Sequence, residues 1–258
     1  MQQSQLSIET LPSHLKPNNV FYPGTMHKFG TDYLGNRYIV KIAESAQDRL
    51  RLYAERLGCQ LCKQLYIETS DVQLFFYNGS LTLLSRNWLN KEDEQFFTLA
   101  SYYESLIDSY EGGVLFSYDI FKFIVMKKCP DSYSQILRVF WRVFIIDFLL
   151  CDTRHAGNLG FIDNGSVRLS PIYDFGTRLE SIFDESWRDL EFPYVRMYFS
   201  DKHKSAYQVL NQFDDLHKNR ALKDVRAKLK IDLLNSCSPE DEHLMNCMKF
   251  RFEQLFYK

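Results

Sequence analysis

The stretch from Cys151 to Gly176, CDTRHAGNLGFIDNGSVRLSPIYDFG, holds the side chains of this chain best suited to chemistry. It offers Asp152 and His155 in a polar turn, then Asn158, a short apolar strand, an Asn-Gly turn at 164–165, a second strand, and Asp174 followed by Phe175 and Gly176. Turn, hairpin and turn in that order bring Asp152, Asn158 and Asp174 to one end of a small ribbon. Carboxylate and amide oxygens gathered there suit a hard cation such as magnesium, which usually arrives with a phosphate-bearing substrate.

Such a ribbon needs a frame. Upstream, residues 133–150 are apolar nearly all round, with Ile136, Leu137, Phe140, Trp141, Phe144 and Ile145 among them, which predicts a central buried helix leading straight into the ribbon. Asp147 inside it is expected to be paired and structural. Residues 117–128 read as a further helix, and residues 90–113 are helical in period and closed by Gly112-Gly113. Beyond the ribbon, 202–218, 220–235 and 239–256 read as helices, the last opened by Ser238-Pro239-Glu240-Asp241, a good cap with acid near the positive dipole end.

The N-terminal third has a different character. The first twenty residues show no clear period. Glycines at 24, 30 and 35 then punctuate a β-meander in which Arg37 to Ile42 alternates as a strand. Lys41 lies on that strand between apolar neighbours, out of pattern for a solvated lysine. Residues 44–58 predict a helix that stops at Gly58, and VQLFFY, Asn78-Gly79 and SLTLLS form a β-hairpin. The fold class is therefore α+β in two lobes: a small β-rich lobe over residues 1–86 and a larger helical lobe over 87–258 that contains the ribbon at 151–176.

Composition narrows the function classes. At 258 residues, 45% hydrophobic and 16% aromatic, the chain has ample material for a core. A formal charge of -2 gives no global field toward nucleic acid or an acidic membrane surface, so no direct nucleic-acid binding is expected and any polyanion site must be local. The basic residues between Lys218 and Lys230 read as a solvated helical face. Six scattered cysteines and a polar N-terminus without a signal peptide fit a reducing cytoplasm. Cys59 and Cys62 form a lone CxxC without a second ligand pair. The most apolar run, VFWRVFIIDFLL, is too short to span a bilayer, and neither a Walker A sequence nor a Rossmann fingerprint is present.

A β-rich lobe with a strand lysine and one helix, a short hinge, and a helical lobe with a metal-ligand ribbon is the layout of a protein kinase. FLLCDTRHAGNLGFIDNGSVRLSPIYDFGTRL resembles the active-site region of HipA-like serine/threonine kinases, in particular their short CtkA and HipT type. Those carry a pattern near N-T-D-R-H-x-x-N-F-G-F followed by P-x-x-D-F-G-T-S-L. The match is close over about 35 residues and looser elsewhere, and Tyr173-Asp174-Phe175-Gly176 is its most specific part.

The resemblance implies ATP and magnesium as cofactors, with Asn158 and Asp174 on the metal. It also implies Lys41 on the ATP phosphates and Gly24, Thr25, Lys28 and Ser85 as further nucleotide contacts. Arg154 and His155 match the family's R-H and contact the phosphate or brace the loop. The acidic partner of Lys41 falls near Gln47, with Glu44, Asp48 and Glu55 on the same segment. One departure stands out: the family aspartate lies two residues before the histidine, where this chain has Thr153, and Asp152 lies three before it in a loop one residue shorter. One residue is about 3.8 Å of chain, whereas a general base must sit within about 2.6–3.2 Å of its proton.

The implied function is transfer of the ATP γ-phosphate to a Ser or Thr hydroxyl of a protein, with Asp152 as base. Two alternatives stand beside it: a nucleotide-binding pseudokinase serving as an interaction module, and a kinase-like enzyme acting on a lipid or small-molecule hydroxyl. Family members act as toxins or effectors, which makes a protein substrate and an antitoxin or helix-turn-helix partner the implied company. They place the chain in the cytoplasm or among translocated effectors.

Overall fold

The structure is a computed structural model that describes residues 9–10, 17–18, 26–33, 35–89, 94–106, 118–152, 154–192 and 205–257. Strands β1 (Glu9–Thr10), β2 (Lys28–Tyr33), β3 (Asn36–Ile42), β4 (Val72–Tyr77) and β5 (Ser80–Arg86) form one sheet in the order β1-β4-β5-β3-β2. Two hairpins build most of it. The β4–β5 turn has Asn78 at φ 50° and Gly79 at φ 81°, the left-handed pair that an Asn-Gly two-residue turn demands.

Helix α1 (Ala46–Gln64) covers one face of this sheet. Ser45 caps it, its side chain accepting the Asp48 N–H at 3.1 Å. The helix does not stop at Gly58, as the glycine signal predicts, but runs on to Gln64. The face of Leu50, Leu57 and Leu61 is buried on both sides of that glycine, and burial outweighs the roughly 1 kcal/mol that a mid-helix glycine costs.

Residues 90–113 differ from a continuous helix as well. Gln95–Thr98 is a strand, β6, followed by α2 (Leu99–Leu106). β6 pairs with β7 (Gly160–Asp163), which pairs with β8 (Val167–Leu169) around the Asn164-Gly165 turn. The absent side chain at Gly160 leaves room for the Phe96 ring, which a Cβ there would meet at 2.4 Å. The rest of the lobe is helical: α3 (Tyr118–Lys128), α4 (Tyr133–Leu149), α5 (Ala206–Gln212), α6 (Leu216–Lys228) and α7 (Pro239–Phe256). The break between α5 and α6 falls at 213–215 rather than at 219, because the Asp215 carboxylate caps α6 by accepting the His217 and Lys218 N–H groups. Lys218 is buried and donates to the Leu210 carbonyl at 2.9 Å, so it is no part of a solvated face.

One hydrophobic core joins both lobes, with Leu57 of α1, Leu83 of β5, Phe144 of α4 and Leu244 of α7 in the same buried cluster. Helix α4 sits at its centre and delivers the chain to the ribbon. Among the described residues no helix is long and apolar enough to cross a membrane.

Candidate active site

Lys41 and Lys28 stand directly opposite each other on β3 and β2, and Ile39 stands opposite Ser85 on β5. Side chains alternate along a strand and cross-strand partners share a face. Lys28, Lys41 and Ser85 therefore lie on one face of the sheet, the face that meets α1. Gly24 and Thr25 lie outside the described residues, as does Thr153.

The Lys41 ammonium is almost fully buried and bridges two carboxylates, donating to Glu55 Oε2 at 2.6 Å and to Asp174 Oδ1 at 2.7 Å. Burial alone would lower the pKa of Lys41, but the Glu55 and Asp174 charges reverse this and hold it above the usual lysine value. Burial of Glu55 pushes its carboxyl up, against the pull of Lys41. At Asp174 burial is outweighed by Lys41, with help from Lys28 and Arg154, and the carboxyl falls to about 2. Lys28, facing Lys41, is lowered by burial and by that like charge.

Glu55 is the acidic partner of Lys41, two helical turns beyond the expected position near Gln47. It is buried. A lone acid within the apolar run LYAERLGCQLC is the signal that marks it.

Asp174 has φ 56°, a left-handed backbone that is uncommon outside glycine, though Asp and Asn tolerate it best. Asn158 meets it at the same open end of the ribbon, its Nδ2 donating to the Asp174 carbonyl at 3.4 Å. Arg154 holds these two segments together. It forms a two-pronged pair with Asp147, both contacts 3.0 Å, and its Nη1 donates to the Asn158 and Tyr173 carbonyls at 2.9 and 2.7 Å. Its guanidinium lies 4.5 Å from the centre of the Phe175 ring. Arg154 is thus a buried brace, and Asp147 is paired, as its place in an apolar helix predicts. Burial outweighs Arg154 at Asp147 and raises that carboxyl to about 6.

On the ring's other side is α1. A Cβ on Gly58 would meet Phe175 Cγ at 2.3 Å, so Gly58, far from ending the helix, is the seat of that phenyl ring. His155 is exposed and caps the next turn, its Nδ1 accepting the Gly157 N–H at 3.1 Å.

Cys151, at φ 57°, turns the chain sharply after α4. Asp152 then points back to the Asp-Phe-Gly segment: Oδ2 accepts the Gly176 N–H at 3.0 Å, and Oδ1 lies 3.8 Å from Arg178 Nε. The Cys151 carbonyl accepts the Arg178 N–H at 2.9 Å. Asp152 thus reaches the turn carrying Asp174.

Sequence reasoning missed an aromatic cluster beside the site. Trp88, just after β5, packs against Phe96 and Tyr173 with ring centres 4.9 and 6.0 Å away. Tyr173 donates its hydroxyl to the Gly157 carbonyl at 2.7 Å. These residues converge only in space, so no spacing in the chain reveals them.

No family profile matches the chain, and no curated protein matches it. Solved structures do. The crystal structure of the Helicobacter pylori proinflammatory kinase CtkA aligns with a TM-score of 0.77 at 18% identity, covering 95% of this chain and 94% of that one. The fold is that of the HipA-like kinases. HipA of Shewanella oneidensis MR-1, solved with HipB and operator DNA, aligns with a TM-score of 0.61 at 15% identity over 95% of this chain and 67% of that one. The HipA-like fold accounts for the two lobes, the sheet carrying Lys41 and the helical lobe carrying the ribbon.

Proposed function

We propose that the chain is a phosphotransferase that passes the γ-phosphate of ATP to a Ser or Thr hydroxyl of a protein, itself included, with magnesium. The observation that carries this is the buried Lys41 ammonium shared between Glu55 and Asp174. A second lysine, Lys28, stands across the strand pair, so two lysines meet the two acids Glu55 and Asp174. Like charges directly opposite on a sheet are unfavourable, and a polyphosphate relieves them.

The donor set fits the metal. The Asp174 carboxylate and the Asn158 amide oxygen are the hard oxygen donors magnesium takes, and their segments are tied by Arg154. Bound there, magnesium would neutralise charge on the phosphate oxygens. Lys41, kept in place by Glu55, orients the phosphates, and Lys28 adds charge beside it. Trp88, Phe96 and Tyr173 offer an apolar wall to a flat base.

In the transfer, the bond from the γ-phosphorus to the β-phosphate bridging oxygen breaks. A new bond forms to the acceptor oxygen, whose proton passes to Asp152. With Oδ2 held by Gly176, we assign this role to Oδ1, beside Arg178. A partner of the antitoxin kind is proposed from the Shewanella neighbour alone, which was solved with HipB.

The same Asp152 contact favours one second reading, a nucleotide-binding interaction module, since that carboxylate is already engaged by Gly176. Labelled ATP and magnesium, with the protein alone and with a lysate, separate the two. Transfer by the wild type and its loss in Asp174→Asn and Asp152→Asn are expected. Transfer that survives Asp174→Asn would sink the metal assignment. A melting temperature raised by ATP without any transfer favours the interaction module.

A further inference from the structure

Residues 55 and 56 are adjacent on α1 and so point about 100° apart around the helix. Glu55 looks to Lys41, and Arg56 looks away, to α7. Arg56 Nη2 pairs with Asp241 Oδ2 and donates to the Asn235 carbonyl at 3.0 Å. Asp241 is fully buried, and the same oxygen accepts the Cys237 N–H at 2.9 Å. The ends of α1 are tied as well. Arg49 Nε meets Glu240 Oε1 at 3.3 Å. Gln64 accepts the Lys230 N–H at 2.7 Å and donates to the Lys230 carbonyl at 3.2 Å.

We propose that α7 sets the rotation of α1, and that Arg56 and Asp241 are positioning residues which hold Glu55 against Lys41 from the neighbouring face of the helix. The Lys41–Glu55 pair is then assembled before nucleotide arrives, and α1 does not swing to complete the site. The proposal rests on the kinase reading for its activity consequences, but not for its geometry.

Stability is a poor reason for this pair. Buried ion pairs often stabilise no better than an apolar contact of the same shape. This one is imperfect, since Arg56 Nε and Asp241 Oδ1 have no hydrogen-bond partner among the described residues. What a charged pair supplies is direction. Two apolar helix faces can slip, whereas slippage here leaves two charges buried and unpaired. Turning a helix of about 10–12 Å diameter by 20° moves its surface by about 2 Å. That is enough to open the 2.6 Å bond between Glu55 and Lys41.

The test is the double variant Arg56→Met with Asp241→Leu, which replaces the charged pair by an apolar one. Its melting temperature is expected to stay within about 3 °C of wild type or to rise. Phosphoryl transfer is expected to fall at least about tenfold, with a raised KM for ATP. Hydrogen exchange at 46–64 should quicken while that at 133–149 does not. Wild-type turnover in a double variant of wild-type melting temperature overturns the proposal.

If the double variant does not fold, Arg56→Lys decides. It keeps the charge but loses the fork that reaches both Asp241 and Asn235, so an unchanged melting temperature with turnover down about threefold is expected. Unchanged turnover in that variant overturns the idea. Should the wild type transfer nothing, the kinase reading fails by itself. Exchange in the nucleotide-free proteins still judges the positioning, and identical protection of α1 in wild type and variant rejects it.

Discussion

At the level of single residues, the charge at Asp174 has a signed consequence for stability. Its carboxyl titrates near 2 in the folded chain against an ordinary 3.8, chiefly because Lys41 outweighs burial. Between those values the unfolded chain binds more protons, so the contribution is complete above about pH 4 and is lost as pH falls toward 2. Asp147, raised to about 6 by burial against the pull of Arg154, has the opposite sign and loses stability as pH rises from about 4 through 6. Urea midpoints of wild type and Asp174→Asn should therefore differ by a constant amount above about pH 5 and converge below about pH 4. A gap undiminished at pH 3 argues against the Lys41–Asp174 pair.

Gly58 makes a second prediction at this scale. Replacing a mid-helix glycine by alanine normally gains about 1 kcal/mol. Here the new methyl meets a ring confined between α1 and the Arg154 guanidinium, and overpacking costs about 1–3 kcal/mol. Gly58→Ala should bring no gain in stability, and phosphoryl transfer should fall because Phe175 and its neighbour Asp174 are displaced. A more stable, fully active Gly58→Ala protein rejects the seat assigned to that glycine.

At the level of elements, α7 is the helix whose start does the most. Ser238 caps it by accepting the Asp241 N–H at 3.1 Å, immediately beside the Arg56 pair. Ser238→Ala should cost about 1 kcal/mol, read as a lower urea midpoint at unchanged slope. No loss would mean that Asp241 is held by Arg56 and Cys237 alone.

That cap was legible in Ser238-Pro239-Glu240-Asp241, as were the β4–β5 hairpin in Asn78-Gly79 and the largely apolar α4, because each is decided by neighbours in the chain. The extent of α1 and the strand β6 were not. Gly58 is tolerated because a ring from the other lobe needs its missing side chain, and Phe96 and Phe97 extend because β7 offers them Ile162 and Phe161 as partners, 66 and 64 residues away. Glu55 stood among several candidate acids and could not be singled out for the same reason: its role depends on a lysine 14 residues earlier and an aspartate in the ribbon. Within the ribbon the local order of Asn158, Asp174, Phe175 and Gly176 was readable. Where Asp152 points was not, since that follows from the left-handed Cys151 turn.

At the level of the whole molecule, the two lobes share more than a hinge. Thr69, between α1 and β4, forms a parallel bridge with Ile172 just ahead of Asp174. Ser70 N–H donates to the Ile172 carbonyl at 3.1 Å, and Ile172 N–H donates to the Glu68 carbonyl at 2.8 Å. Leu57, Leu83, Phe144, Leu244 and Met248 belong to one buried cluster that crosses the boundary, so neither lobe can unfold without exposing the other's apolar surface. A 258-residue chain organised this way should melt in one transition. Its calorimetric and van't Hoff enthalpies should agree near about 180 kcal/mol at 60 °C, from about 0.7 kcal/mol per residue. ATP with magnesium should shift that single transition upward as a unit. Two resolved transitions, or a shift confined to one of them, would show that the bridge at Ile172 and the shared core do not couple the lobes.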